Sequence, residues 1–427
     1  MVQPNVVFLN TAAAVGARIC RDALWAGEEC NWIGASMETI GSEWKVVHRA
    51  LGPDLYSGTS GIALLLAELF GATGEGVYRK TAEACLRKAI LRIDTIPASV
   101  RASLFSGAAG IGYTIVVAGD IFGDEGMVVE GTEVLQHLGH GVRSGVEMDV
   151  IGGCAGTVAA LLSVHSRHAS DELLDTAITF GDEILRTAKR TEFGASWSTF
   201  AMRTKHDLLG FAHGSAGIGW ALLELYAATN EERFVATALD AFRYERHWFS
   251  EVEQNWPDFR DFGAGEQGPV ARAVYPMAWC HGAPGVGLSR LRAYQILGDL
   301  TIRDEAMAAV RTTLNALRGS GTARLSDYSL CHGAAGWAET LLQASATMDD
   351  PDCRAAAEGI GLAGIEAYEE VRAPWPSGVS GGGETPNLML GMAGIAHFLL
   401  RLWNPSVVSP AIITLPRANE QARSPAP

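Results

Sequence analysis

Two dipeptides in this chain pair the two side chains that most often bind zinc in proteins. Cys280-His281 and Cys331-His332 lie 51 residues apart, and His213 precedes both. Thiolates and imidazoles suit zinc, and three protein ligands leave its fourth tetrahedral position open for a substrate. The residue types therefore predict a catalytic zinc site, provided that the fold brings these segments together.

Cys280, Cys331 and His332 are the ligand set that we favour. His281 could take the place of His332, because each of these histidines follows a cysteine. Buried cysteines and helix-capping histidines are the structural alternative. The occurrence of the same pair twice, in the same repeat position, argues against that alternative.

A repeated Gly-x-x-Gly element positions these residues. It occurs seven times, with 46 to 68 residues between successive first glycines, and an apolar segment follows each copy. Repeats of this length are typical of a helix pair. The apolar segments predict buried inner helices, and the amphipathic segments between them predict outer helices. The first glycines are Gly58, Gly107, Gly153, Gly214, Gly282, Gly333 and Gly391.

This pattern predicts an all-α fold, an α/α toroid of seven inner and seven outer helices. An open solenoid is the alternative, but its inner helices would not need to be apolar on every side. We expect one domain over residues 1–404, in which residues 1–50 form leading helices that cap the ring. Residues 405–427 contain five prolines and are expected to form a disordered tail.

Equivalent positions of a closed ring lie at the same height around its axis. The residue before the first glycine is His213, His281 and His332 in repeats four, five and six. One position earlier stand Cys280 and Cys331 in repeats five and six. We therefore expect these five side chains to converge at one mouth of the toroid.

His213 and Asp149 are the candidates for proton transfer. His213 follows an alanine instead of a cysteine, which favours a general acid or base beside the metal over a further ligand. A helix-capping histidine is the alternative. Asp149, in the corresponding loop of repeat three, could orient His213 or shuttle a proton, although a capping aspartate is the alternative here too.

The composition excludes several classes of protein. Acidic residues number 48 against 33 basic ones, a net charge of −15, which argues against nucleic acid or an anionic membrane as the main partner. No apolar run reaches the ~18 residues of a membrane span, and no secretion signal is apparent, so we expect a cytoplasmic protein. Seven cysteines, an odd number, fit a reducing compartment.

Several motifs resemble the lanthionine synthetase C-like (LanC-like) cyclase family. The most specific are WCHGAPGVGL at 279–288 and LCHGAAG at 330–336, and AHGSAGIG at 212–219 also matches. The resemblance extends from about residue 15 to residue 403. NWIGASME, YERHWF and NWPDFR are similar to the cyclase half of class II lanthionine synthetases.

The resemblance implies a double toroid with one zinc ion, held by Cys280, Cys331 and His332. It also implies that His213 and Asp149 occupy the acid and base positions. The implied reaction adds a cysteine thiol to dehydroalanine or dehydrobutyrine and closes a lanthionine or methyllanthionine ring in a ribosomally made peptide. The implied partners are a dehydrated precursor peptide and separate dehydratase or kinase/lyase enzymes.

Two positions depart from the family pattern. His281 stands where some members have tyrosine, and Pro276 stands where some have an active-site arginine. Arg272 is the nearest arginine to that position. Either His281 or Arg272 could assist proton transfer.

Three other functions are compatible with parts of the sequence. A LanC-like enzyme could add glutathione or another small thiol to dehydrated residues. A zinc prenyltransferase β subunit is also an α/α toroid, but the twin Cys-His pairs argue against it. A non-catalytic scaffold for a dehydratase would not need the four residues Cys280, Cys331, His332 and His213.

Overall fold

The computed structural model describes residues 4–41, 43–141, 146–199, 203–260, 273–320, 325 and 327–416. Within these ranges fourteen α-helices carry the fold, together with three small two-stranded sheets. None of the helices described is both long and apolar enough to cross a bilayer.

The seven inner helices begin where the repeat predicts. In every repeat the first glycine of the Gly-x-x-Gly element is the N-cap residue. Each inner helix packs against the next, and the last packs against the first, so the ring is closed. The inner helices are α2 (Thr59–Thr73), α4 (Ala108–Phe122), α6 (Cys154–Arg167), α8 (Ser215–Thr229), α10 (Ala283–Leu297), α12 (Ala334–Met348) and α14 (Met392–Trp403).

Seven outer helices surround this ring, as the sequence predicts. Six of them follow their inner helix: α3 (Gly76–Ile90), α5 (Glu125–Gln136), α7 (Asp171–Thr187), α9 (Glu232–His247), α11 (Leu300–Ser320) and α13 (Pro351–Gly364). The seventh is α1 (Pro4–Arg21), which packs against α14. The two ends of the described chain therefore complete the seventh repeat between them.

The prediction that residues 1–50 form capping helices is wrong. Helix α1 belongs to the outer ring, and two hairpins follow it: β1 (Leu24–Ala26) with β2 (Glu29–Asn31), and β3 (Ile33–Ile40) with β4 (Glu43–Ala50). Gly27 and Gly41 have positive φ angles of 64° and 69° where each first strand ends, a conformation that favours a turn. A third hairpin joins β5 (Lys189–Thr191) to β6 (Gly194–Ser196).

The second glycine of each motif is required by close packing. A Cβ atom on this glycine would lie 1.9–2.3 Å from a carbonyl oxygen of its own loop in all seven repeats. In Gly217, for example, it would meet the Phe211 carbonyl oxygen at 1.9 Å and the Val150 side chain at 2.6 Å. Any larger residue would push the loop off the start of its helix.

A closed ring of seven backbone hydrogen bonds joins the loops that precede the inner helices. In each repeat the residue two positions before the first glycine donates its N–H to the carbonyl of its counterpart in the next repeat, over 2.9–3.4 Å. The seventh repeat donates back to the first. The members, in order, are Tyr56, Phe105, Ile151, Ala212, Cys280, Cys331 and Met389.

An apolar layer lies directly beneath this backbone ring. The residue preceding each ring member is buried to within 1% of its surface in all seven repeats. These residues are Leu55, Leu104, Val150, Phe211, Trp279, Leu330 and Leu388. These apolar side chains line the bottom of the toroid's mouth and exclude water from it.

The expected disordered tail differs from the structure over residues 405–416. Val408, Ile412 and Ile413 are buried in the main core, and the Trp279 indole N–H donates to the Ile412 carbonyl at 2.9 Å. Buried Arg401 donates to the Val408 carbonyl at 2.6 Å. The prolines of this segment suggested disorder, yet the apolar residues between them are buried in the main core. Residues 417–427 lie outside the described residues.

Adjacent valines test this packing. Val408 is 1% exposed and Val407 is 63% exposed. We expect Val408→Ala to lower the free energy of unfolding by about 2 kcal/mol, since it removes buried apolar volume. Val407→Ala should change it by less than ~0.5 kcal/mol. Chemical denaturation of both variants checks this, and equal effects would contradict the packed arrangement.

Candidate active site

The backbone ring brings the two predicted zinc cysteines side by side. Cys280 donates its N–H to the Cys331 carbonyl at 3.3 Å, which fixes neighbouring loops in the same register. Cys331 is 4% exposed and Cys280 is partly buried. The two thiols lie close enough to each other for each to shift the pKa of the other.

The surroundings of this thiol pair favour ionisation of one of its two cysteines. The hydrogen bond from Cys331 lowers the pKa of the Cys280 thiol, against the effect of burial, and the charges of His332 and Arg260 lower it further. The same hydrogen bond, together with burial, raises the pKa of Cys331. Cys280 is therefore the cysteine that ionises first and the stronger candidate ligand.

His332 lies close enough to Cys280 to lower the pKa of the Cys280 thiol. The imidazole ring of His332 is held through one of its nitrogens, Nε2. Nε2 is 3.0 Å from the Gly378 carbonyl oxygen and 3.4 Å from Oδ2 of Asp327. A Cβ atom on Gly378 would lie 2.9 Å from Nε2, so a glycine permits this approach. Metal-binding histidines commonly donate their second N–H to a carbonyl or a carboxylate, and this arrangement leaves Nδ1 to bind.

Within the described ranges, no group of three or more His, Cys, Asp or Glu side chains is arranged to hold a metal ion. The donor set nevertheless fits zinc by its chemistry, with two adjoining thiols and a nearby imidazole held through its other nitrogen. His281 instead stacks on His213, with ring centroids 5.8 Å apart. The choice of His332 as the third ligand and the metal itself both stay predictions.

His213 and Asp149 form an ion pair. His213 Nδ1 is 2.6 Å from Asp149 Oδ2, and Asp149 Oδ1 accepts the N–H of Gly152 at 2.7 Å. Asp149 thus stabilises its own turn and orients His213. Burial lowers the pKa of His213, but the hydrogen bond and charge of Asp149 outweigh burial and raise it above the ordinary value.

His281 packs against His213 and is neutral at physiological pH. The two rings are stacked with centroids 5.8 Å apart, and His281 is 2% exposed. Burial and the charge of Arg260 lower the pKa of His281 to about 3. Because a neutral imidazole is a poor acid, this environment favours a packing role for His281 over proton donation.

Arg260 is a site residue that sequence reasoning missed. Its guanidinium is held by Asp258, with Nη2 2.6 Å from Oδ2, and its charge lowers the pKa of His213, Cys280 and His281. Both residues belong to NWPDFR, in the connection between α9 and α10, where no repeat register points to a role. Arg272, the arginine that the sequence suggested, lies outside the described residues.

Tyr56 is a second missed residue. It is the repeat-one member of the backbone ring, and its hydroxyl lies close enough to Cys331 to lower the pKa of that thiol. Burial and the neighbouring Cys331 raise the pKa of Tyr56 well above its ordinary value, so it remains a hydrogen-bond donor. Its place in the column of Cys280 and Cys331 was the signal that could have identified it.

Comparisons with known proteins agree on one family. Residues 49–413 match the family described as lanthionine synthetase C-like protein. The nisin biosynthesis protein NisC of Lactococcus lactis subsp. lactis is 25% identical over 308 residues, which are 67% of this chain and 72% of that protein. Among solved structures, nisin cyclase superposes with a TM-score of 0.65 at 19% identity, over 84% of this chain and 92% of that one.

The same fold also occurs in sugar-cleaving enzymes. A family 76 glycoside hydrolase from a bovine Bacteroides thetaiotaomicron strain superposes with a TM-score of 0.51 at 10% identity, over 94% of this chain and 77% of that chain. At this identity the likeness concerns the α/α toroid alone.

The ion pair predicts a pH effect. Asp149→Asn removes the charge that raises the pKa of His213 and leaves the burial that lowers it, so that pKa should fall below ~6.5. In the wild type, the ion pair should contribute its full stabilisation at pH values below the pKa of His213 in the unfolded chain. This contribution should be lost as the pH rises through the raised pKa of His213 in the folded protein. Titration of His213 by NMR measures the shift.

Asp120→Asn is the matched control, since Asp120 also pairs with a histidine, His168, at 2.8 Å. This variant should leave the pKa of His213 unchanged. An unaltered His213 pKa in Asp149→Asn would contradict the ion pair.

Proposed function

Because the chain belongs to the lanthionine synthetase C-like family, we propose that it is a thioether-forming peptide cyclase. The proposed substrate is a peptide with a cysteine and with a serine or threonine already dehydrated to dehydroalanine or dehydrobutyrine. The observation that carries the proposal is the thiol pair Cys280–Cys331 beside the ion pair His213–Asp149.

The proposed reaction is a Michael-type addition. The substrate thiol loses its proton, and its sulfur bonds to the β-carbon. The electrons of the carbon–carbon π bond move towards the carbonyl oxygen and form an enolate. The α-carbon then takes up one proton, so that no proton is gained or lost overall. The enzyme therefore needs to favour a thiolate, to stabilise an enolate and to deliver one proton.

Cys280, Cys331 and His332 are the proposed zinc ligands. Zinc bound there would lower the pKa of the substrate thiol and supply it as a thiolate at neutral pH. The Gly378 carbonyl and Asp327 would orient His332 by holding Nε2.

His213 is the proposed proton donor. Its Nδ1 is engaged by Asp149, so Nε2 is the nitrogen left to exchange a proton with the α-carbon. The raised pKa of His213 supports this role, because a larger fraction of the imidazole is protonated at neutral pH. The charge of Arg260 would favour the negative charge that develops on the enolate oxygen.

Two variants separate zinc binding from proton transfer. We expect Cys331→Ala to lose zinc and ring closure together, because it removes a ligand. His213→Asn should keep its zinc and close rings about 10²- to 10⁴-fold more slowly. Plasma mass spectrometry gives the zinc content. Ring closure shows as a cysteine of a dehydrated peptide that no longer takes up an alkylating reagent.

Cys154→Ala is the matched control, since Cys154 is fully buried in α6 and outside the thiol pair. It should keep both zinc and activity. Ring closure at the wild-type rate by Cys331→Ala would overturn the thiol-activation mechanism. A zinc-loaded wild type that closes no ring in a dehydrated peptide would instead favour the scaffold function.

A further inference from the structure

An open cleft of about 760 Å³ lies beside repeats one and two, outside the site described above. The β3–β4 hairpin forms one wall and the segment after α3 forms another. Its lining includes Ser57 and Ser106. These serines occupy the repeat position that His213, His281 and His332 occupy in repeats four to six, so the cleft opens onto the same mouth of the toroid.

Three cationic side chains line the cleft, although the chain carries a net charge of −15. They are Arg49 of β4, Lys88 of α3 and Arg92, and Asp54 is the one acidic residue among the described residues of the lining. The Asp54 carboxylate accepts the N–H of Ser57 at 2.7 Å, so it is engaged with its own loop.

Two cations of the cleft are paired within the protein. Arg49 pairs with Glu38, and Lys88 pairs with Glu29, each at 2.7 Å. The Arg49 side chain is 64% exposed, and exposed ion pairs contribute only about 0–1 kcal/mol, so a carboxylate of a ligand can take the place of Glu38 at little cost. Arg92 is exposed, and no ion pair joins its side chain to another of the described residues.

The hairpin that forms one wall offers backbone groups as well. No further strand pairs with β3 or β4 in the described part of the chain, and such two-stranded sheets are marginally stable alone. Ile33, Met37 and Trp44 of this hairpin are 53%, 39% and 69% exposed. An extended peptide can pair with both the N–H and the C=O groups of an open strand edge, whereas a small anion can only accept from the N–H groups.

We propose that this cleft binds an acidic, extended stretch of the peptide substrate. The inference rests on the proposed function for the identity of the peptide, since a cyclase must hold its substrate while one cysteine reaches the thiol pair. Anchoring at repeats one and two would raise the effective concentration of the reacting segment at repeats five and six. Arg49 and Arg92 are then specificity-determining residues distant from the bond-forming atoms.

Equilibrium binding of two labelled peptides to the full-length protein tests the proposal. One decapeptide carries four glutamates, and the other carries four glutamines at the same positions. Fluorescence anisotropy should show at least about tenfold tighter binding of the glutamate peptide, with the preference falling as salt is raised. The double variant Arg49→Glu/Arg92→Glu should lose this preference.

Arg311→Glu/Arg318→Glu, at two exposed arginines of α11, is the charge-matched control and should bind like the wild type. Circular dichroism establishes that the double variant is folded, and the salt dependence of the wild type serves as a second measurement if it is not. Equal affinity of the wild type for both peptides would overturn the proposal.

Failure of this inference is distinguishable from failure of the proposed function. Ring closure without any glutamate preference overturns the cleft assignment and leaves the cyclase intact. Glutamate-selective binding without ring closure overturns the cyclase and supports the cleft as a site for acidic peptides.

Discussion

The closed ring of seven backbone hydrogen bonds is the constraint on which the rest of the structure depends. Each loop both donates to one neighbour and accepts from the other, so a shift of one loop breaks two bonds. The second glycine of each motif lets the loop lie against the start of its helix, because a Cβ atom at this position would be only 1.9–2.3 Å from a carbonyl oxygen of the loop. Register around the axis is therefore fixed by backbone groups, and side chains at the ring positions are free to differ.

Because backbone groups alone fix the register, the side chains at the mouth of the toroid can differ from one repeat to the next. Repeats four to six place histidines beside the ring, whereas repeats one and two place Ser57 and Ser106 at the same height. The dry layer below, from Leu55 to Leu388, is apolar in all seven repeats because it carries packing alone. The histidines and cysteines at these positions are thus confined to repeats four to six, and the small serines of repeats one and two leave room for a ligand.

The repeat register explains which features the sequence could predict. It identified the starts of the inner helices, the neighbouring positions of Cys280 and Cys331, and the approach of Asp149 to His213, because all of these follow from equivalent loop positions. Arg260 belongs to a connection outside the repeat, so no register pointed to it. The hairpins before residue 51 were missed because strands such as β1 and β4 bury no residue, so no alternation of buried and exposed positions marks them. The packed segment 405–416 was missed because its contacts are with distant parts of the chain, as between Trp279 and Ile412.

The central claim is that the paired thiols and His332 hold a zinc ion that binds the cysteine of the substrate. Zinc K-edge X-ray absorption tests this most directly on the purified protein, before and after addition of a cysteine peptide with alanine in place of the dehydrated residue, which cannot react. The account predicts two sulfur ligands before addition and three afterwards. A sulfur count that stays the same when the peptide is bound would contradict it.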